Sequence, residues 1–228
     1  MLGEMGIVER FYSALMREEV KPLEPLGDKV WLTHLAFDCA RRSILETTYL
    51  KGIRPRSIIR SWIGRKLHEL NVLGKEMEIT LEHDGVVGRI DEYDPENKIL
   101  LEKKTTTFTP REITPITFRQ TEYEKWLLEK NGREVRKCFV LYIDFVNDAV
   151  RAFEVNPRDS QTIGNEIKER KSRILDARKW GILPPRTPFY LDSRGQLLSC
   201  SICPTFHLCY LGEEAVPPEL VYLEEEEI

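Results

Sequence analysis

Two carboxylates and a lysine lie close together in a stretch whose pattern suits a pair of β-strands. They are Asp91, Glu102 and Lys104, and the DPEN segment (94–97) between them is typical of a turn. Because side chains alternate along a strand, Glu102 and Lys104 share one face, and Lys103 points to the other. Two carboxylates on one face can hold Mg²⁺ or Mn²⁺, and a neighbouring lysine can orient or deprotonate a water or stabilise charge on a phosphate.

The hairpin register decides how these carboxylates meet. With the turn so placed, Tyr93 faces Lys98 and Asp91 lies opposite Leu100, which makes Asp91 and Glu102 diagonal neighbours on one face. The alternative interpretation of the same charges is an exposed hairpin with ordinary cross-strand ion pairs.

Three residues outside the hairpin could complete a site. His68, near the end of a predicted helix, could add an imidazole ligand, although a lone histidine is often structural. Gln120 and Tyr123 share one face of a predicted helix over 116–130. They could contact a substrate phosphate or Lys104, and Tyr123 alone would also suit a core position.

A second candidate site lies near the end of the chain, where three cysteines form the motif C-x2-C-x5-C. They are Cys200, Cys203 and Cys209. This spacing in a short polar segment indicates a bound metal or cluster, and a four-thiolate site needs one more ligand. We expect Cys39, because Cys138 lies among apolar residues of a predicted core strand. His207 is the outside candidate, in a Cys₃His zinc site.

The secondary-structure pattern predicts an α/β fold with a mixed central sheet flanked by helices. The predicted helices span about 4–18, 33–49 (through Cys39), 57 onward, 116–130 and 159–179, and the strands 76–82, 86–93, 98–107, 136–145 and 149–155.

Composition limits the kinds of partner. The net charge of −4, with 32% charged residues, excludes a global electrostatic attraction to nucleic acid, so any DNA contact requires a local basic patch. No apolar stretch approaches the roughly 20 residues of a membrane helix, and the charged N-terminus lacks the pattern of a signal peptide. We therefore expect a cytoplasmic protein that does not bind membranes.

The order of these motifs resembles the RecB-like branch of the PD-(D/E)XK nucleases. The matching residues are His68, Ile90–Asp91, Glu102-Lys103-Lys104, Gln120 and Tyr123. The resemblance implies a restriction-endonuclease-like core in which His68, Asp91 and Glu102 bind the metal and Lys104 assists hydrolysis. The chain departs from the pattern in having Ile90 where proline is usual, and in spacing Gln120 and Tyr123 by three residues instead of four.

With one cysteine near the start and three near the end, the chain resembles the fourth CRISPR-associated (Cas) protein family. The resemblance implies a 4Fe–4S cluster, or 2Fe–2S as in some members, held by Cys39, Cys200, Cys203 and Cys209. It also implies 5′→3′ exonuclease action on single-stranded DNA ends during spacer acquisition, alongside the Cas integrase proteins.

These implications give an expected organisation in four parts. A helical segment (1–58) carries the first cluster cysteine, and a nuclease core (59–155) follows. The C-terminal helix and cysteine motif (156–212) pack with 1–58, and an acidic tail (213–228) is expected to be disordered. Two other functions remain open: a RecB-like repair nuclease outside CRISPR, and a non-catalytic DNA-binding protein that carries zinc or a cluster.

Overall fold

The computed structural model describes residues 4–19, 27–37, 39–48, 55–180, 203 and 209. The helices are α1 (Glu4–Glu19), α2 (Leu32–Ala36), α3 (Ala40–Thr48), α4 (Pro55–His68), α5 (Pro115–Lys130) and α6 (Ser160–Trp180). The strands are β1 (Val30–Trp31), β2 (Glu76–His83), β3 (Val86–Asp94), β4 (Ile99–Thr106), β5 (Lys137–Asp144) and β6 (Ala149–Val155). Cys200, His207 and the acidic tail lie outside the described residues.

The strands form one mixed sheet in the order β1-β3-β4-β5-β6, and β2 also pairs with β3. The pairs β1–β3 and β4–β5 are parallel, whereas β2–β3, β3–β4 and β5–β6 are antiparallel. The parallel pair β4–β5 is joined through α5, because parallel neighbours need a crossover connection. The predicted mixed sheet is confirmed.

Helices cover both faces of β4. Gly64 of α4 approaches Thr105, where an added Cβ would lie 2.8 Å from Oγ1. Lys103 is on the same face as Thr105, and its ammonium group donates to the carbonyl oxygen of His68 at the end of α4. Lys104, on the other face, donates to Gln120 of α5. Alternation along β4 therefore directs neighbouring residues to different helices.

One edge of β3 is divided between two partners. β2 pairs along Val86–Tyr93, so β1 and β4 must share the opposite edge. There, β1 pairs with residues 86–87 and β4 with residues 92–94, and the ladders leave 88–91 between them. Gly88 lies in this interval, and a Cβ there would come within 2.7 Å of Leu127 on α5. The close approach places α5 directly over the opening between β3 and β4.

The hairpin register differs from the sequence prediction by two positions. Tyr93 pairs with Leu100 and not with Lys98. The turn occupies residues 95–98, because the Asp94 carboxylate accepts backbone N–H groups inside it and Lys98 adopts a left-handed conformation. A shift of two positions leaves every side chain on its predicted face.

The helix predicted over 33–49 is in fact two helices. α2 ends at Ala36 and α3 begins at Ala40, so Cys39 lies at the break and not inside a helix. Two arginines from α5 and α6 donate hydrogen bonds to the carbonyl groups at the end of α2, in place of the bonds of a continuous helix. They are Arg119, which donates to Ala36, and Arg170, which donates to Leu35 and Phe37.

Other predicted elements agree to within about two residues, but the two-residue strand β1 was not predicted. Within the described residues, no helix combines the length and the apolar character needed to cross a membrane.

Candidate active site and metal centre

Asp91 and Glu102 lie across from each other on β3 and β4. The β3–β4 ladder ends at the pair Glu92–Leu101, and the next position of the same register places Asp91 opposite Glu102. Both are buried, with 7% and 2% of their surface exposed. The ladder opens here, and Oδ2 of Asp91 accepts the N–H of Lys103 at 2.8 Å. The two carboxylates are closer in register than the diagonal arrangement expected from the sequence.

Lys104 and Gln120 complete the group on this face. The ammonium nitrogen of Lys104 lies 2.5 Å from Oε1 of Glu102. Gln120 lies between them from α5, since its Nε2 donates to Oε1 of Glu102 at 2.9 Å and its Oε1 accepts from Lys104 at 2.9 Å. The structure therefore brings together Asp91, Glu102, Lys104 and Gln120.

Burial and charge determine the ionisation of this group. Burial raises the pKa of Glu102 to about 7, against the lowering effect of the Lys104 charge. Burial also acts to raise the pKa of Asp91, but a hydrogen bond and positive charge from His68 hold that pKa below its ordinary value. Burial acts to lower the pKa of Lys104, and the neighbouring Glu102 outweighs it and raises that pKa. Lys104 is therefore charged at neutral pH, which suits binding a phosphate better than deprotonating a water.

His68 reaches Asp91 from the end of α4. Its Nδ1 lies 3.2 Å from Oδ2 of Asp91. The main chain at this point is held by Lys103, whose ammonium group donates to the carbonyl oxygens of His68 (2.6 Å) and Leu70 (2.7 Å) and to Oε1 of Glu92 (2.8 Å). Lys103 thus has the separate role expected from its face: it fixes the position of His68.

Glu78 joins the site, although the sequence analysis did not select it. The pairs on either side place Glu78 of β2 opposite Asp91. His68, Glu78 and Asp91 each offer a ligand atom, and these atoms all lie within 4.8 Å of one another. Glu78 also forms an ion pair with Arg89, with Nε and Oε2 2.8 Å apart. A two-residue turn at the HDG segment gives this register, so the signal was present in the sequence.

The donor atoms suit a divalent cation. His68, Glu78 and Asp91 supply one imidazole and two carboxylates in one group, a set compatible with Mn²⁺ and, through the oxygens, with Mg²⁺. Glu102 lies opposite Asp91 in the hairpin register, next to this group. Oε2 of Glu102 is buried and has no hydrogen-bond partner in the described part of the chain. A buried carboxylate oxygen without a donor is costly, and a bound cation would remove that cost.

Tyr123 is not brought to these carboxylates. Its hydroxyl donates to Oε1 of Glu166 on α6 at 2.7 Å, in a cluster with Arg158 and Arg170. Consecutive residues of a helix differ by about 100° in direction, so Tyr123 and Glu124 point to different neighbours. Oε1 of Glu124, four residues after Gln120, accepts a hydrogen bond from that glutamine at 2.7 Å.

Three of the four predicted cluster cysteines are in the described residues, and each is half-buried. The Sγ of Cys39 accepts the backbone N–H of Arg42 at 3.4 Å, at the start of α3. The guanidinium group of Arg41 donates to the carbonyl oxygen of Cys209 at 3.4 Å. Arg41, two residues after Cys39, is therefore in contact with Cys209.

Cys138 has a different environment. It lies in β5 with 1% of its surface exposed, paired with Leu100. Burial raises the pKa of its thiol to about 12. A thiol of this kind is an inert part of the core.

Comparison with known proteins shows a likeness in fold. No protein-family profile and no curated protein sequence matches the chain. The crystal structure of SSO0001 superposes with a TM-score of 0.58 and 19% identity over 89% of this chain and 96% of the other. A phage-related exonuclease from Haemophilus somnus 129PT gives a TM-score of 0.40 and 14% identity, over 68% of this chain and 96% of the other. The chain thus shares its fold with SSO0001.

Proposed function

We propose that this protein is a divalent-metal-dependent deoxyribonuclease of the RecB-like PD-(D/E)XK class. The observation that supports this most directly is the joint placement of Asp91, Glu102 and Lys104 on one face at the opening between β3 and β4. Two buried carboxylates beside a charged lysine are typical of a site for phosphodiester hydrolysis and not of the exposed ion pairs of an ordinary surface hairpin.

His68, Asp91 and Glu102 would hold Mg²⁺ or Mn²⁺, with Glu78 as a further donor. When bound, such an ion polarises a phosphate oxygen and makes a coordinated water more acidic. Lys104 would bind a non-bridging phosphate oxygen and stabilise the negative charge that develops there. Gln120 orients Lys104 and Glu102 through its own hydrogen bonds.

The finer assignment extends the sequence resemblance. It is 5′→3′ exonuclease action on single-stranded DNA ends in CRISPR spacer acquisition, with the Cas integrase proteins as partners. An iron–sulfur cluster, 4Fe–4S or 2Fe–2S, held by Cys39, Cys200, Cys203 and Cys209 would join the two ends of the chain. The Arg41–Cys209 contact supports this part, because Arg41 is only two residues after Cys39 in the sequence.

The test is cleavage of single-stranded oligonucleotides labelled at the 5′ or the 3′ end, with Mn²⁺, Mg²⁺ or EDTA. Asp91→Asn and Glu102→Gln should each reduce the single-turnover rate by about 10²–10³ or more while DNA binding survives. Glu154→Gln on β6, an exposed acid of the same sheet, is the matched control and should cleave normally.

Near-normal cleavage by either variant would contradict the assignment of the site. A wild-type protein that binds DNA but does not cleave it with any divalent cation would favour the non-catalytic alternative. A cleaving protein whose gene lies away from CRISPR genes would favour the repair nuclease.

A further inference from the structure

Glu124 is a buried acid that the nuclease motif does not explain. It lies on α5, one helical turn after Gln120, with 1% of its surface exposed. Glutamate is almost never fully buried unless it is paired. Its Oε1 accepts from Gln120, and its Oε2 is buried without a hydrogen-bond partner among the described residues. A position this costly requires a compensating role.

The hydrogen bonds of Gln120 indicate that role. Its Nε2 has two hydrogens, which go to Oε1 of Glu102 (2.9 Å) and Oε1 of Glu124 (2.7 Å). Its Oε1 accepts from Lys104 at 2.9 Å. All strong hydrogen-bonding groups of the amide except one lone pair are therefore in use. A flip of the amide would direct its oxygen at two carboxylates, so Glu124 and Glu102 together fix its orientation.

We propose that Glu124 is a positioning residue that acts through Gln120 to hold Glu102 and Lys104 in their reactive arrangement. The inference rests on the proposed nuclease function and deepens it. With Glu124 in place, the amide nitrogen faces the carboxylates and the amide oxygen faces Lys104. Without it, the amide loses one of its two acceptors and can rotate, and the ammonium group of Lys104 loses a fixed neighbour.

The shared donor fits this role. Glu124 and Glu102 accept hydrogen bonds from the same group, the side-chain Nε2 of Gln120. A glutamine at position 124 has an amide oxygen that can accept the same bond from Gln120, whereas a leucine has no acceptor.

The experiment compares Glu124→Leu with Glu124→Gln in the full-length protein. Glu124→Leu should lower kcat about tenfold, with KM for single-stranded DNA changed less than about twofold, because the bonds lost do not touch DNA. Glu124→Gln should recover most of that loss. Glu122→Leu is the matched control: Glu122 is equally buried on α5 but pairs with Arg158, so its loss should lower stability and leave kcat unchanged.

A double-mutant cycle tests the route through Gln120. In a Gln120→Ala background, Glu124→Leu should cause no further loss of kcat, because the residue through which it acts is gone. The inference would be overturned if the fold-losses of kcat in the two single variants multiplied in the double variant. It would also be overturned if Glu124→Leu lowered only the melting temperature.

The side-chain amide of Gln120 gives a readout that does not depend on cleavage. In ¹⁵N NMR spectra of the metal-free protein, assigned with Gln120→Ala, its protons should exchange slowly in the wild type and in Glu124→Gln, and rapidly in Glu124→Leu. If the wild-type protein is inactive but the exchange pattern is as expected, the proposed nuclease function is refuted and the positioning of Gln120 by Glu124 stands. An active protein in which neither kcat nor the amide responds to Glu124→Leu would refute the positioning role.

Discussion

Lys103 and Lys104 are consecutive residues of β4 with opposite environments. The ammonium nitrogen of Lys103 lies 2.8 Å from Oε1 of Glu92, and both side chains are fully buried. The ammonium nitrogen of Lys104 lies 2.5 Å from Oε1 of Glu102, and the Lys104 side chain is 29% exposed. The Lys103–Glu92 pair lies on the face of the sheet covered by α4 and holds the end of that helix. The Lys104–Glu102 pair lies on the other face, where the partly exposed Lys104 is accessible to a substrate.

This difference predicts opposite effects for the two lysines. Lys103→Met should lower the free energy of unfolding by about 3–5 kcal/mol, because it leaves Glu92 charged and buried. The double variant Lys103→Met with Glu92→Leu should recover much of this loss, because it removes the unpaired charge. Lys104→Met should lower cleavage about 100-fold with little loss of stability. Urea denaturation and single-turnover cleavage measure both. A stable Lys103→Met protein would show that the buried pair is not needed.

His68→Ala should weaken Mn²⁺ binding by at least about tenfold, since it removes the imidazole nitrogen beside Asp91 that we propose as a ligand. His83→Ala is the control, because the half-buried His83 packs edge-on against Trp126 and is not part of this group. Its loss should lower the melting temperature and leave the affinity unchanged. Calorimetric titration with Mn²⁺ decides between them, and equal affinities would remove His68 from the metal site.

Tyr123→Phe should retain cleavage within about threefold of wild type and lower the free energy of unfolding by about 1–2 kcal/mol. The reason is that its hydroxyl bonds to Glu166 and not to the catalytic group. Cleavage and thermal unfolding of the variant are the measurements. A hundredfold loss of cleavage at unchanged stability would return Tyr123 to the catalytic set.

The metal-free protein should lose stability as the pH rises from about 4.5 to about 7. The pKa of Glu102 is raised from 4.5 to about 7, so the folded state binds more protons than the unfolded state in this window. Below the pKa of the unfolded state, Glu102 makes its full contribution to the free energy of unfolding. This contribution falls by about 3 kcal/mol as the pH rises through the pKa of the folded state. Glu124, whose pKa is also raised, acts in the same direction.

Asp91 has the opposite sign but a different window: its pKa is lowered, so its contribution is lost only at more acidic pH. We would measure the free energy of unfolding by urea denaturation in EDTA at several pH values. Between pH 4.5 and 7 this free energy should fall less steeply with pH for Glu102→Gln than for the wild type. Equal slopes for the two proteins would mean that Glu102 is ionised throughout this window.

Single replacement by Ser of any of four cysteines should remove the brown colour and the acid-labile sulfide of the anaerobically purified protein and lower its stability. These are Cys39, Cys200, Cys203 and Cys209. Cys138→Ser should keep the colour, because that thiol is enclosed in the sheet. Iron and sulfide analysis of the five variants is the measurement. Zinc without sulfide in the wild type would favour the zinc site, and a coloured Cys39→Ser protein would show that the fourth ligand is another residue.

Alternation along β4 was sufficient to place Glu102 and Lys104 on one face and Lys103 on the other. It survived an error in the hairpin turn, because a shift of two positions preserves the face of every side chain. The inert character of Cys138 was equally local, since apolar neighbours in a strand imply burial. Features of this kind depend on a period of two and on residue type, and the sequence contains both.

The remaining contacts were decided by tertiary structure. Whether Tyr123 or Glu124 meets the carboxylates depends on the rotation of α5 over the sheet, where one residue corresponds to about 100°. Cys39 lies at a helix break because Arg119 and Arg170, distant in sequence, take the carbonyl bonds of α2. These positions depend on contacts between segments far apart in the chain, and no local period encodes them.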